Sequence, residues 1–390
     1  MYKKYVKRTK EEYDADNKAA CQVLFDKIAD SVLEELENDK HIWEMPWLKN
    51  PENGMPENVR GHKLRGDNFW LCLFKQYEFK KRQLDGEDIP NPTGKWYTFV
   101  DIKKMNEENL KNAVNGEKPE FIHIRKGEQA TCLTKFMPKV KKKEEEQEQE
   151  EDFSILVHKR QEGRFGWYKA FNSCQIVGLP EEKIKEYDHS KEALAVKEKE
   201  MDVVFETLSK SLGVPIKHET ESLLGGFKQK ADKAYYSVTG DYIVCPPKEM
   251  FRSLSEYYGT LFHEFAHATG ADTRLKRFHP EGEEKTKREG WSQKDIYSEE
   301  EIIAEFTACY LAKHFKTDID LSFKNNVAYM AIWKGRLKKD RGWLQEVMKS
   351  ASKAADMIIN NSRFKTLEDK KSVDLTPEEK VKKNERVLTA

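Results

Sequence analysis

The stretch Leu261-Phe262-His263-Glu264-Phe265-Ala266-His267-Ala268-Thr269-Gly270 limits what the rest of the chain can be. Positions i and i+4 share one face of a helix, so His263 and His267 can point at one ion. Neutral imidazole is a common zinc ligand. Glu264 follows His263 directly, stands beside that site and can act as a base towards a water there. The neighbours read as helix: Leu261, Phe262, Phe265 and Ala268 are apolar, and Gly270 suits a C′ stop. The plainer reading is a surface helix with two unrelated histidines, since so short a motif also arises by chance.

A zinc site needs a third protein ligand and an open position. The best source is the segment Tyr297 to Ala308. Ser298 can cap a helix there, with Glu301 three residues later completing a capping box. Ile302, Phe306 and Cys309 form an apolar stripe. Glu301 and Glu305 are i,i+4 neighbours, so one can bind the metal while the other orients a ligand histidine from behind. We take Glu301 as the ligand and Glu305 as the orienting residue. Glu299 and Glu300 read as acidic residues favoured near a helix start by the macrodipole. His218, His279 and His314 are weaker ligand alternatives.

A chain of 390 residues has room for about two or three domains with real cores. Lys+Arg and Asp+Glu both total 69, so net charge argues neither for nor against nucleic acid; only local patches can. No stretch is long and apolar enough to span a membrane, and Met1-Tyr2-Lys3-Lys4-Tyr5 lacks the apolar run of a signal peptide. Six scattered cysteines with no C-x-x-C pair argue against a disulfide framework and a thiolate zinc site. A cytoplasmic location is the expectation.

Taken in order, the N-terminal half reads as a helix over Asn17–Glu37, an aromatic, proline-broken Ile42–Trp47, and a turn-rich basic loop from Asn58 to Asn68. A helix over Phe69–Phe79 follows, then a strand over Trp96–Val100 and a short helix from Asp101. Strands flank the turn Arg125-Lys126-Gly127-Glu128, and Trp167–Ile176 is a further strand. Residues 139–152, lysines followed by glutamates, cannot bury a core and read as a solvated insertion. After a linker at 178–190 come a helix over Ala193–Leu212, a turn at Gly225-Gly226-Phe227, a hairpin around Thr239-Gly240-Asp241 and the motif helix. Helices over Ser298–Phe315, Val327–Leu337 and Trp343–Asn361 complete the pattern. The expected fold class is α+β with two domains. A small α+β domain spans 1–185, a mainly helical domain with a small sheet spans 193–365, and 366–390 is a charged tail.

The chain resembles ArdC-type antirestriction proteins across most of residues 18–362. In the C-terminal half the resemblance rests on Ala234-Tyr235-Tyr236, Asp241-Tyr242-Ile243, Tyr257 to Gly270, Arg274-Leu275, Glu300 to Glu305, Trp333 and Ala354-Ala355. In the N-terminal half it rests on Pro46-Trp47, Pro56, Asn58, Gly61, Arg65 to Asn68, Arg125 to Glu128 and Phe171-Asn172. It implies an N-terminal domain that binds single-stranded DNA, a C-terminal zincin-like metallopeptidase domain holding Zn2+, and protection of incoming DNA from restriction. The order hairpin, metal helix, ligand helix fits a zincin, whose sheet edge can hold an extended peptide. The ligand helix also resembles that of IrrE-type proteases: their E-x-x-A-x-x-x-A pattern matches Glu301, Ala304 and Ala308, and this favours Glu301 over Glu300. The 139–152 insertion and the basic N-terminus depart from the pattern.

Single-strand binding needs a basic track with aromatic faces for stacking. The expected contacts are Trp47, Arg60, Lys63, Arg65, Asn68, Arg125 and Lys126. Each has a plainer reading. Tryptophans are mostly core, Asn68 can cap the following helix, and Arg125-Lys126 can be a hairpin turn. Tyr257 or Tyr258 could donate to an oxyanion but reads first as packing, and Arg274 is expected to anchor the loop after the motif helix. The expected partners are single-stranded DNA and a protein or peptide substrate. The alternatives are a DNA-binding protein with a structural or vestigial zinc site, and a regulatory zinc protease acting on a protein partner.

Overall fold

The computed structural model describes residues 9–49, 54–112, 121–138, 163–180, 191–221, 228–279, 290–318, 320–321 and 327–361. The expected insertion at 139–152, the turn at 225–227 and the tail at 366–390 lie outside the described residues. The chain forms two compact units. One comprises Met1–Tyr187, Lys313–Asp318 and Asn326–Ser352; the other comprises Asp188–Ala312, Ile319–Asn325 and Lys353–Ala390.

In the first unit, α1 (Lys10–Glu37) starts earlier than the expected Asn17. Thr9 and Glu12 form a capping box that satisfies the first backbone donors: Glu12 N donates to Thr9 Oγ1 at 3.2 Å and Thr9 N to Glu12 Oε2 at 2.8 Å. Cys21, Phe25, Ile28, Val32 and Leu36 form its buried stripe. The short α2 (Pro46–Lys49) leads to α3 (Asp67–Leu84), and α4 (Phe99–Asn112) follows β2. The strands are β1 (Glu57–Asn58), β2 (Lys95–Thr98), β3 (His123–Ile124), β4 (Thr131–Pro138), β5 (Gly163–Asn172) and β6 (Ile176–Val177). They make a sheet of order β1-β2-β5-β4, with β1 parallel to β2 and the other pairs antiparallel, and a separate β3–β6 pair. The strand expected to run to Val100 stops at Thr98, because Asp101 and Thr98 form a cap there: Thr98 N donates to Asp101 Oδ2 at 2.8 Å.

In the second unit, α5 (Lys191–Leu212) precedes β7 (Ile216–Lys217), β8 (Glu219–Glu221), β9 (Lys228–Lys230), β10 (Tyr235–Ser237) and β11 (Tyr242–Val244). The β10–β11 hairpin is the expected one; β7 adds to it in parallel, giving the order β10-β11-β7. Asp241 sits at φ +50° in the turn, a region where aspartate is tolerated. The sheet covers α6 (Leu254–Ala268), and α5 packs on α6 through Phe205, whose ring lies against Tyr258, Phe262 and Phe265. Tyr258 donates to Asp202 at 2.8 Å, and Tyr257 packs edge-on against Phe251, so both tyrosines follow the packing reading.

The next helix, α7, spans Gln293–Phe315 and corrects the expected start at Ser298. The cap is Ser292: Ser292 N donates to Asp295 Oδ2 at 3.0 Å, and Asp295 N donates to Ser292 Oγ at 3.2 Å. Ser298 is instead a buried position within the helix. The chain then returns to the first unit with α8 (Val327–Lys339) and most of α9 (Gly342–Asn361). The α8 helix packs along α1. Lys334, Lys338 and Arg341 pair with Asp39, Glu37 and Asp30 of α1 and its end. The Trp70 indole donates to Met348 O at 3.0 Å and Ser352 Oγ at 2.9 Å. Residues 326–352, expected in the C-terminal domain, group with the first compact unit.

Candidate metal centre

The metal helix α6 is buried all round from Glu256 to Ala268, so its polar residues face the protein interior and not solvent. Ser253 caps it, accepting from Glu256 N at 3.1 Å. Gly259 allows a close approach: a Cβ there would stand 2.6 Å from Asp320 O. Arg274 anchors the loop after α6 as expected. It donates to Ala268 O at 2.6 Å and to Tyr236 OH at 3.0 Å, and it pairs with Asp241.

His263, Glu264 and His267 come from α6, and Glu301 comes from the third turn of α7; all four are buried. The His263 and His267 Nε2 atoms lie 3.0 Å apart. Glu301 Oε2 is 3.4 Å from His263 Nε2, and Glu301 Oε1 is 3.4 Å from His267 Nε2. Metal–ligand distances of about 2.0–2.2 Å in a tetrahedron give ligand–ligand edges of roughly 3.3–3.6 Å. The Glu301 carboxylate faces the two Nε2 atoms with one oxygen towards each, and one donor atom from each of the three residues lies within 4.8 Å of the others, a spacing that a divalent cation can draw together. Among the described residues this is the one group of three or more His, Cys, Asp or Glu donors that converges in this way. His218 and His279 have other contacts, at Cys245 O and Asp272.

The electrostatics agree with a cation site. Burial pulls the His267 imidazole down, but the Glu301 and Glu300 carboxylates outweigh it and push it up to about 10. Burial likewise opposes ionisation of Glu301, and the His267 and His263 rings hold it well below the usual carboxylate range. The pocket thus favours positive charge at its centre.

The carboxylate at His267 Nδ1 is that of Glu300, 3.4 Å away, a residue that the sequence reading gave no such role. Glu305 is fully buried one turn beyond Glu301 on α7. Glu300 reaches His267 because Arg277 holds it from the other side; burial opposes its ionisation, and Arg277 and His267 lower it overall. Sequence reading missed Arg277, which sits in a polar segment with no periodicity, and Tyr297. The Tyr297 ring lies near-parallel to His267, 6.5 Å between centroids, and is half exposed.

The expected DNA contacts separate into two groups. Arg60, Lys63, Arg65 and Lys126 are exposed, the first three on a loop between Gly61 and Gly66 or next to them. Both glycines have positive φ, which L-residues with a Cβ rarely adopt. Lys63 shares Glu57 with Lys95, at 2.5 Å each. Burial, followed by the charges of Arg65 and Lys63, lowers His314 to about 4, so the sequence-distant His314 sits beside this basic loop. Trp47 is corrected: it is buried with its ring edge-on to Phe74 at 5.8 Å and has no face for a base. Asn68 is also corrected. Its side chain donates to Thr134 O and accepts from Thr134 N, both at 2.8 Å, which ties α3 to β4. Arg125 is half-buried and donates to Asp88 O at 3.1 Å, within the expected turn. All six cysteines are buried and none is in a disulfide, and no described helix is long and apolar enough to cross a membrane.

Comparison with known proteins finds two family matches in succession along the chain. A family described as the N-terminal domain of the anti-restriction factor ArdC matches residues 22–171, and a family described as a zincin-like metallopeptidase matches residues 221–353. The second match runs into the residues that pack with the first unit. Crystal structures of the antirestriction protein ArdC from plasmid R388 are similar in both the metal-free and the Mn(II)-bound form. Each is 25% identical with a TM-score of 0.53; they cover 87% and 88% of this chain, and 97% and 99% of their own. DNA primase TraC of Escherichia coli is 23% identical over 86% of this chain, and this chain spans only 27% of that protein. The uncharacterized protein y4eC of Sinorhizobium fredii is 26% identical over 49% of this chain and 52% of its own length. With both domains matched in order and the ArdC structures covered almost end to end, the chain belongs to the ArdC-like family, an ArdC N-terminal domain followed by a zincin-like metallopeptidase domain.

Proposed function

We propose that this protein is an antirestriction factor of a mobile element that binds single-stranded DNA and carries a zinc-dependent peptidase centre. The observation that supports the enzymatic part best is the His263–His267–Glu301 triangle with Glu264 buried next to it in α6. Bound zinc would polarise a peptide carbonyl and make a water acidic enough to lose its proton near neutral pH. Glu264 accepts that proton at a carboxylate oxygen and returns it to the departing amide nitrogen. An extended peptide can pair along β10, one of the two edge strands of the three-stranded sheet.

The DNA reading is supported by the ArdC N-terminal match, by relatives named DNA primase and by the exposed Arg60–Arg65 loop. Covering the strand is enough to keep a restriction enzyme from it, so protection requires no cleaved target. In the full chain, replacing Arg60, Lys63 and Arg65 together by alanine should weaken single-strand binding at least tenfold. It should also flatten the slope of log affinity against log salt by about 2, at roughly 0.7 per lost phosphate contact. Unchanged affinity and slope would move the strand to another surface.

A further inference from the structure

We propose that Arg277 and Glu300 are a positioning pair that fixes His267 as a metal ligand and keeps Glu300 itself out of the ligand set. The proposal rests on the His263–His267–Glu301 reading and deepens it.

The pair is built by two separate elements. After α6 the chain turns at Thr269 and Gly270 and folds back, with Leu275 N donating to Thr269 O and Arg277 N to Gly270 O, both at 2.9 Å. This return carries the Arg277 side chain under the end of α6. Its guanidinium donates to three described residues. Nε donates to Glu300 Oε2 at 2.9 Å, and Nη2 donates to Glu300 Oε1 at 2.6 Å. Nη2 also donates to Ala266 O at 2.8 Å, and Nη1 donates to Thr269 Oγ1 at 2.9 Å. The same Glu300 Oε1 lies 3.4 Å from His267 Nδ1. Gly270 makes room for the fork: a Cβ there would stand 3.1 Å from Arg277 Nη2 and 3.2 Å from Glu300 Oε1.

Both side chains are buried, with Arg277 8% and Glu300 3% exposed. A buried ion pair adds little net stability compared with apolar residues of similar volume, because desolvation offsets the attraction. Its geometry gives it another use. A planar fork holds both carboxylate oxygens at once, which a lysine cannot do. Glu300 is therefore an ionised acceptor at a fixed position. With a cation bound, the imidazole beside it would carry its single proton on Nδ1, leaving the Nε2 lone pair for the ion that Glu301 and His263 also face. The neighbouring carboxylates Glu300 and Glu301 thus take different tasks, and Arg277 decides which takes which.

The test is Mn(II) affinity by chelator competition on the full-length protein, with the melting of the metal-free form followed in parallel. Wild type, Glu301→Ala and the double variant Arg277→Met/Glu300→Leu are compared; the double change removes both charges and leaves neither partner buried alone. We expect the double variant to fold, to bind one Mn(II) at saturation, and to bind it about 10- to 100-fold more weakly, the usual loss when an outer partner of a ligand histidine is removed. Arg277→Lys should recover only part of that affinity. Wild-type affinity in a folded double variant would overturn the proposal, and a lowered melting temperature with unchanged affinity would make the pair merely structural. Failure of the wild type to bind Mn(II), or undiminished binding by Glu301→Ala, would instead overturn the ligand reading beneath it. If the double variant does not fold, Glu300→Gln takes its place, with a smaller loss of affinity expected because its amide oxygen still accepts from Nδ1; unchanged affinity there is equally fatal.

Discussion

Glu264→Gln will lower hydrolysis of a denatured protein substrate, with zinc supplied, by about two orders of magnitude or more. The change keeps the volume and shape of the side chain. It removes the group that accepts a proton, and it leaves His263, His267 and Glu301 as they are. Bound metal should therefore be undiminished. Single-strand affinity should also be undiminished, because the Arg60–Arg65 loop is untouched. Protection from restriction should survive, since covering the strand does not consume a peptide bond. Hydrolysis at the wild-type rate would remove Glu264 from its role. Loss of protection with folding and DNA binding intact would make proteolysis part of the protective mechanism and sink the occlusion account.

A fragment that stops at residue 187 should have no cooperative unfolding transition, although the ArdC N-terminal match ends at residue 171. Residues 326–352 group with the first unit. Removing them takes both acceptors from the buried Trp70 indole, at a cost of about 1–3 kcal/mol for an unsatisfied N–H. It also uncovers the α1 surface on which α8 packs. Met330, Trp333, Leu337, Leu344, Val347 and Met348 are all buried in the complete chain. At about 1.5–3 kcal/mol for each such side chain, their loss matches the whole stability of a domain, about 5–15 kcal/mol. Circular dichroism of the fragment, alone and with a 326–361 peptide added, decides this. A cooperative melt and full single-strand binding by the fragment alone would show that the N-terminal domain is self-sufficient.

The metal helix was legible because its chemistry is local. Two histidines one turn apart and a glutamate between them need no tertiary knowledge to share a face. The hairpin at Thr239-Gly240-Asp241 was legible for the same reason: alternation and turn residues lie within one short window. Glu301 was reached by combining helical spacing with a family pattern. What failed was long-range. Glu300 looked like an ordinary acidic residue near a helix start, because its partners Arg277 and His267 lie on another helix and in an irregular loop. Trp47 looked available because it follows a proline near basic residues, yet Phe74 of α3 covers it. Ser298 had the right partner spacing for a cap, but Ser292 and Asp295 offered the same motif earlier and the helix began there. The return of residues 326–352 to the first unit left no mark on local periodicity, since an amphipathic helix does not say what it packs against.

If His263, His267 and Glu301 hold one divalent cation, elemental analysis of purified protein after zinc reconstitution will show it. One zinc per chain is expected in the wild type and in Glu264→Gln, and substantially less than one in His263→Ala and in Glu301→Ala at the same free zinc. A full equivalent of zinc retained by a folded Glu301→Ala protein would contradict the ligand set.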